Sequence, residues 1–175
     1  MYRTGHLGVS LLVFAPIGYL LVAAGSPLAA LVTGGAMLWL AMLPDVDHRL
    51  PLISHRGPTH SLLFAVLIGG AFGGAGLLLE EVGAGGAVAE LLGLAAFPGV
   101  GLPAFGFAVG FSAIAAHLLG DVLTPAGVNL FWPASREYSL YITRADNTLA
   151  NYGLFLLGLF AVAAAGVLAL QGAPA

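Results

Sequence analysis

The chain has 175 residues, of which 59% are hydrophobic and 7% charged. A soluble domain carries about 25% charged residues and needs them to clothe its surface, so this composition excludes one and points to an integral membrane protein. A formal net charge of −3, with scattered arginines and no lysine, leaves no basic patch for nucleic acid; the absence of cysteine excludes disulfides, thiolate metal sites and a thiol nucleophile.

A membrane-spanning helix needs about 20 apolar residues. On that measure the chain reads as an all-α, integral membrane helical bundle of about five transmembrane helices, forming one domain over residues 1–175. The first span is predicted over about 7–24, too long an apolar run for a cleavable signal and without a clear cleavage site. Gly25-Ser26-Pro27 then makes a short turn, and the second span covers about 28–43, ended by Pro44. A polar stretch, 44–58, follows. The third span is predicted over about 59–79, with Pro58 at its start and Thr59 and His60 opening the helix. Residues 80–103 form a Gly-rich connection with Glu80, Glu81 and Glu90, and 88–97 is expected to be a short interfacial helix. The fourth span covers about 104–122, and a polar loop, 123–150, leads to the fifth over about 152–170. The runs are continuous and lack the alternation of a membrane barrel, so no strands are expected.

The arginines set the orientation. With the N-terminus cytoplasmic, Arg3, Arg49, Arg56, Arg136 and Arg144 all fall on the cytoplasmic side, while the opposite 80–103 connection carries only glutamates. The same assignment brings His6, Asp45, Asp47, His48, His55, His60, His117 and Asp121 to that face. Trp132, Tyr138 and Tyr141 read as an interfacial aromatic belt, and Arg136, Arg144, Asp146 and Asn147 as a cap.

The polar residues are clustered. Residues 44–61 contain two carboxylates, three histidines and two arginines in a chain otherwise dominated by Ala, Leu, Gly, Val and Phe. Near lipid each such group costs free energy unless it is partnered. His117 and Asp121 are four apart on a helix and share one face. Imidazoles with carboxylates suit zinc, manganese or iron. Each site reading has a bland alternative: a hydrogen-bonded His117–Asp121 pair tying helices together, an interfacial His6, a solvated 44–58 loop, and an Arg56 that only anchors the topology. The functional reading of Arg56 is a clamp on an anionic substrate.

Three motifs carry a resemblance. Leu43-Pro44-Asp45-Val46-Asp47-His48, then His55-Arg56-Gly57-Pro58-Thr59-His60-Ser61, then the run from His117-Leu118-Leu119-Gly120-Asp121 to Phe131-Trp132-Pro133 are similar to the signatures of small membrane-bound metal-dependent hydrolases, also called the LexA-binding, inner-membrane-associated hydrolase family. The resemblance covers about residues 1–145. A weaker one joins His6, the Pro44-Asp45 pair, His60 and His117-x-x-x-Asp121 to the zinc-dependent phospholipase C and P1 nuclease pattern. That pattern implies His6, His60, His117 and Asp121 as metal ligands and Asp45 as ligand or base. No histidine follows Asp121, so a three-metal site is not expected.

The expected metal ligands are therefore His6, Asp45, His55, His60, His117 and Asp121, holding one or two divalent ions, with zinc first. Asp45, Asp47 or His48 is the expected base or supporting group, and Arg56 the expected substrate contact. The function that follows is a multi-pass membrane hydrolase whose site faces the cytoplasm and acts on a phosphoester or lipid-linked substrate. Its expected partners are membrane lipids and a small-molecule or lipid substrate, not nucleic acid. The alternatives are a metal-binding transporter or sensor, or a non-catalytic membrane protein whose histidines merely pair.

Overall fold

The computed structural model describes residues 1–49, 56–134 and 136–172. Among these residues the chain forms six α-helices: α1 (Arg3–Ala23), α2 (Pro27–Leu40), α3 (Leu62–Glu81), α4 (Gly85–Leu91), α5 (Leu102–Val122) and α6 (Thr148–Gly172). Five helical segments are long and apolar enough to cross a membrane; α2 reaches that length when continued through the 3-10 turn Pro44–Arg49. The 25 residues of α6 span about 37 Å at 1.5 Å per residue, which exceeds a hydrocarbon core of about 30 Å. No strand occurs among the described residues, and one isolated bridge joins Val128 to Tyr138.

Several boundaries differ from expectation: α1 already starts at Arg3 and α2 already ends at Leu40, and three further differences have a visible local cause or place. Pro58–His60 forms a separate 3-10 turn instead of opening the third span. Ser61 is the reason: its backbone is extended (φ −131°, ψ 159°) and its hydroxyl accepts the Phe64 N–H at 3.2 Å, so α3 starts after it. In the 80–103 connection the helix lies earlier than predicted, at Gly85–Leu91, and a 3-10 turn follows at Leu94–Ala96. α6 begins at Thr148, earlier than expected, because the Asn147 side chain caps the Ala150 N–H at 3.1 Å.

The helices pack as two tight pairs, α1 with α6 and α3 with α5, and α2 contacts both α1 and α5. Small residues make the first pair close. A Cβ added to Gly158 would stand 2.6 Å from the Gly8 carbonyl oxygen, so the two backbones nearly touch. The core between α2 and α5 is Met37, Leu40, Ala113 and Ala116; between α3 and α5 it is Ala65, Ile114 and Leu118 with Val128. Large apolar side chains cover the outside instead, with Leu156, Phe160, Val167 and Leu168 of α6 all exposed. Water would not tolerate such a surface, whereas lipid tails solvate it.

α1 and α5 thus lie at the centre of the packing order, with α6 and α3 outside them. The beginning of α1, the end of α2, the turn before α3 and the end of α5 meet at one end of the bundle. The loop after α5 folds back on that end: Leu140 N–H donates to the Val122 carbonyl at 2.7 Å and Leu62 N–H to the Leu130 carbonyl at 2.9 Å.

Candidate metal centre

Four elements deliver one side chain or pair each. α5 presents His117 and Asp121 on one face, the 3-10 turn after α2 presents Asp45 and Asp47, the turn before α3 presents His60, and α1 presents His6. His6, His60, His117 and Asp121 are almost completely buried. Asp45 is the open member, with its side chain 21% exposed.

The hydrogen bonds fix which nitrogen of each imidazole is available. His117 Nδ1 lies 2.7 Å from the Ala41 carbonyl oxygen. A carbonyl only accepts, so Nδ1 carries the proton and Nε2 keeps its lone pair. The Thr59 hydroxyl donates to Asp47 Oδ2 at 3.0 Å, which leaves its oxygen to accept from His60 Nδ1 at 3.1 Å. Asp47 Oδ2 is itself 3.1 Å from that nitrogen. The His60 proton is therefore also on Nδ1, and its Nε2 also presents a lone pair. An imidazole held through one nitrogen by a carbonyl or carboxylate, with the other facing inward, is the usual dress of a metal-binding histidine.

The inward-facing atoms converge. His60 Nε2 is 3.3 Å from His117 Nε2, 3.3 Å from Asp45 Oδ1 and 3.5 Å from Asp121 Oδ2. His117 Nε2 is 3.4 Å from Asp121 Oδ2 and 3.7 Å from Asp45 Oδ1. These are five of the six edges among four donor atoms. A tetrahedron with metal–donor bonds of about 2.0–2.2 Å has edges of about 3.3–3.6 Å. The five spacings are close to those edges, Asp45, His60 and His117 form one compact group of possible ligands, and two nitrogens with two oxygens suit a divalent ion of the zinc, manganese or iron kind.

His6 stands apart from this set. Its ring stacks on that of His117 with centroids 3.9 Å apart and planes within 3°. Parallel stacked rings hold their in-plane lone pairs in separate parallel planes, so both cannot point straight at one ion. His6 instead approaches the other oxygen of the same carboxylate, with Nε2 3.6 Å from Asp121 Oδ1, and Nε2 also lies 3.1 Å from the Met1 amino nitrogen. The ligand atoms of His6, His117 and Asp121 all lie within 4.8 Å of one another and form a second possible grouping. His6 Nδ1 is buried without a hydrogen-bond partner. Gly120 makes room for this ring: a Cβ there would stand 2.8 Å from His6 Nδ1.

Asp47 and Arg56 frame the centre. Asp47 accepts the Arg56 backbone N–H at 3.1 Å as well as the Thr59 hydroxyl, so it orients His60 and ties down the chain beside it. Arg56 has φ +62°, an uncommon backbone conformation for a side-chain-bearing residue, and such strain is held where surrounding contacts over-determine it. Its guanidinium donates to the Gly127 carbonyl at 2.5 Å and lies 3.5 Å from Asp121 Oδ1. Gly127 is required there by its own φ of +61°. His48 is exposed at the rim, in a third possible grouping with Asp45 and Asp47. His55, the remaining predicted ligand, lies outside the described residues. Farther out, Arg144 and Asp146 form an exposed two-contact ion pair at 3.1 and 3.2 Å, and Arg136 covers the Tyr138 ring at 5.2 Å.

Sequence reasoning missed the supporting atoms. Thr59 sits between Pro58 and His60 in the motif, and its place beside a histidine was the available signal. The Ala41 and Gly127 carbonyls have none, because any residue supplies a carbonyl.

The fold and this site define a polytopic helical membrane protein with a buried histidine–carboxylate cluster at one end. The chain matches the YdjM inner membrane protein family over residues 1–174 and belongs to that family. No curated protein and no solved structure matches it.

Proposed function

We propose that the protein is a metal-dependent hydrolase of the inner membrane, with its centre at the cytoplasmic face and a phosphoester or lipid-linked substrate. The observation that carries this reading is the four-donor set of Asp45 Oδ1, His60 Nε2, His117 Nε2 and Asp121 Oδ2, with both imidazoles held in the ligating tautomer. Zinc is the first choice of ion for two nitrogens and two oxygens at these spacings. When bound, such an ion supplies Lewis-acid polarisation and lowers the pKa of a coordinated water. Asp121 turns its second oxygen toward His6, where it also meets the Met1 amino group at 3.2 Å and the Arg56 guanidinium at 3.5 Å, so a second ion there would have to displace cations already in place.

The remaining work falls to the chain. Asp45, the part-exposed carboxylate of the set, is the base we assign for an attacking water, with His48 beside it at the rim. Asp47 keeps His60 in its tautomer. Arg56 has guanidinium donors beyond those used on Gly127 and Asp121, and these suit a phosphoryl oxygen. The cytoplasmic placement rests on the arginine distribution.

A conduit for ions is the competing reading. It calls for polar groups along the membrane interior. After His6, α1 has no Asp, Glu, Lys, Arg or His; α3 has none before Glu80, and α6 has none. The clustered groups sit at one end only, which favours a reaction site over a path.

The test is hydrolysis of a panel of lipid and nucleotide phosphoesters by purified protein, stripped of metal and then reloaded. Metal-dependent phosphate release that His117→Ala abolishes is expected. Metal binding without hydrolysis of any member would sink the hydrolase reading and leave the sensor or transporter.

A further inference from the structure

Asp45 is the open member of the four-donor set, and the space it opens into has a definite character. It lines a groove of about 420 Å³ together with Arg3, Leu38, Trp39, Met42 and Val46. The groove lies between the start of α1 and the end of α2, on the outside of the bundle. Leu38, Trp39 and Val46 are exposed there, Trp39 at 79%. Arg3 is exposed too, and it makes no ion pair among the described residues. The groove therefore offers apolar wall on one side, one uncommitted cation at its mouth, and a carboxylate of the centre at its end.

We infer that this groove is a lateral entry for an anionic phospholipid, with the headgroup phosphate on Arg3 and an acyl chain along Leu38, Trp39, Met42 and Val46. The inference rests on the hydrolase reading for its purpose, but the binding it describes does not require hydrolysis. Three features on the molecule select this occupant. The walls are apolar where lipid chains would lie, at the end of a span. The cation is placed for a headgroup at the membrane surface, where an arginine draws anionic lipid. And Asp45 connects the headgroup position to the donor set: its Oδ1 is 3.3 Å from His60 Nε2. A soluble phosphate would use the arginine but gain nothing from four apolar side chains.

Trp39 reports on the groove directly, since the chain has two tryptophans and Trp132→Phe leaves it alone. The full chain carrying that change is placed in phosphatidylcholine nanodiscs containing equal mole fractions of brominated phosphatidic acid or brominated phosphatidylcholine. The expected result is quenching of Trp39 by the anionic lipid with an apparent affinity about fivefold higher, the worth of one arginine near the surface. Arg3→Gln should erase the preference and Arg3→Lys keep it. Val46→Phe, which fills the groove and leaves the charge, should erase it as well. His117→Ala should retain the preference while losing metal, so failure of the groove and failure of the hydrolase are read separately. Equal quenching by the two lipids, a preference that survives Arg3→Gln, or relief of quenching by inorganic phosphate would each overturn the inference.

Discussion

His60 Nε2 and His117 Nε2 face each other at 3.3 Å, and in the neutral tautomers that their Nδ1 partners select, each ring turns a lone pair toward the other. The Ala41 carbonyl holds the His117 proton on the far side of its ring, and Thr59 with Asp47 holds the His60 proton likewise. Two lone pairs at this distance repel unless a cation lies between them. The flanking carboxylates of Asp45 and Asp121 add negative charge to the same point. The Met1 amino group and the Arg56 guanidinium offset part of the Asp121 charge, and a cation between the two Nε2 atoms would offset the rest.

Zinc should therefore stabilise the fold. For free zinc at one hundred times its dissociation constant, linkage gives about 2.7 kcal/mol. The melting midpoint of the detergent-solubilised protein should rise on zinc addition and fall on chelation. A midpoint indifferent to both would argue against the cluster being an ion site.

Asp47 acts through His60, so Asp47→Asn should weaken the centre without destroying it. Loss of such a supporting carboxylate costs about 10–100-fold in metal affinity. Competition against a chromophoric chelator measures this. Thr59→Val, which removes the hydroxyl that bridges Asp47 and His60, should move affinity in the same direction. Unchanged affinity in both variants would mean that His60 needs no such support.

Arg56 combines strain and contact, and two substitutions separate them. Arg56→Ala loses the guanidinium and keeps the φ of +62°; Arg56→Gly loses the guanidinium and relieves the backbone. The glycine variant should be the more stable of the two by about 1 kcal/mol, seen in thermal melts. Both should raise the KM for an anionic substrate. Equal melting would show the backbone to be unstrained.

Gly120→Ala places a methyl where the His6 ring lies, 2.8 Å from Nδ1. The ring has to move, because α5 is fixed against α3 and α2. Overpacking of this kind costs about 1–3 kcal/mol. A thermal melt should show that loss, and a wild-type midpoint would mean that His6 does not occupy this position.

Much of this was legible from residue types. Long apolar runs fixed five spans, since membrane helices have one dominant length rule. The convergence of His6, Asp45, His60, His117 and Asp121 followed from which ends of the spans share a side. Local detail was less visible. Ser61 caps α3 and separates it from the Pro58 turn, yet in sequence a serine after a histidine gives no such notice. The stacking of His6 on His117 depends on how α1 crosses α5, which periodicity does not encode. Asp47 reads in sequence as a peer of Asp45; only its contacts to Thr59, Arg56 and His60 make it the support instead of the open donor.

Asp45, His60, His117 and Asp121 are the donors expected to hold a divalent ion. Elemental analysis of the purified protein, exchanged into non-chelating buffer, tests this assignment most directly, with His117→Ala and Glu90→Gln measured beside it. About one ion per chain or more is expected in the wild type and in the Glu90 variant, far from the site, and loss of that ion in the His117 variant. A wild-type protein without stoichiometric metal, or a His117 variant with full occupancy, would contradict it.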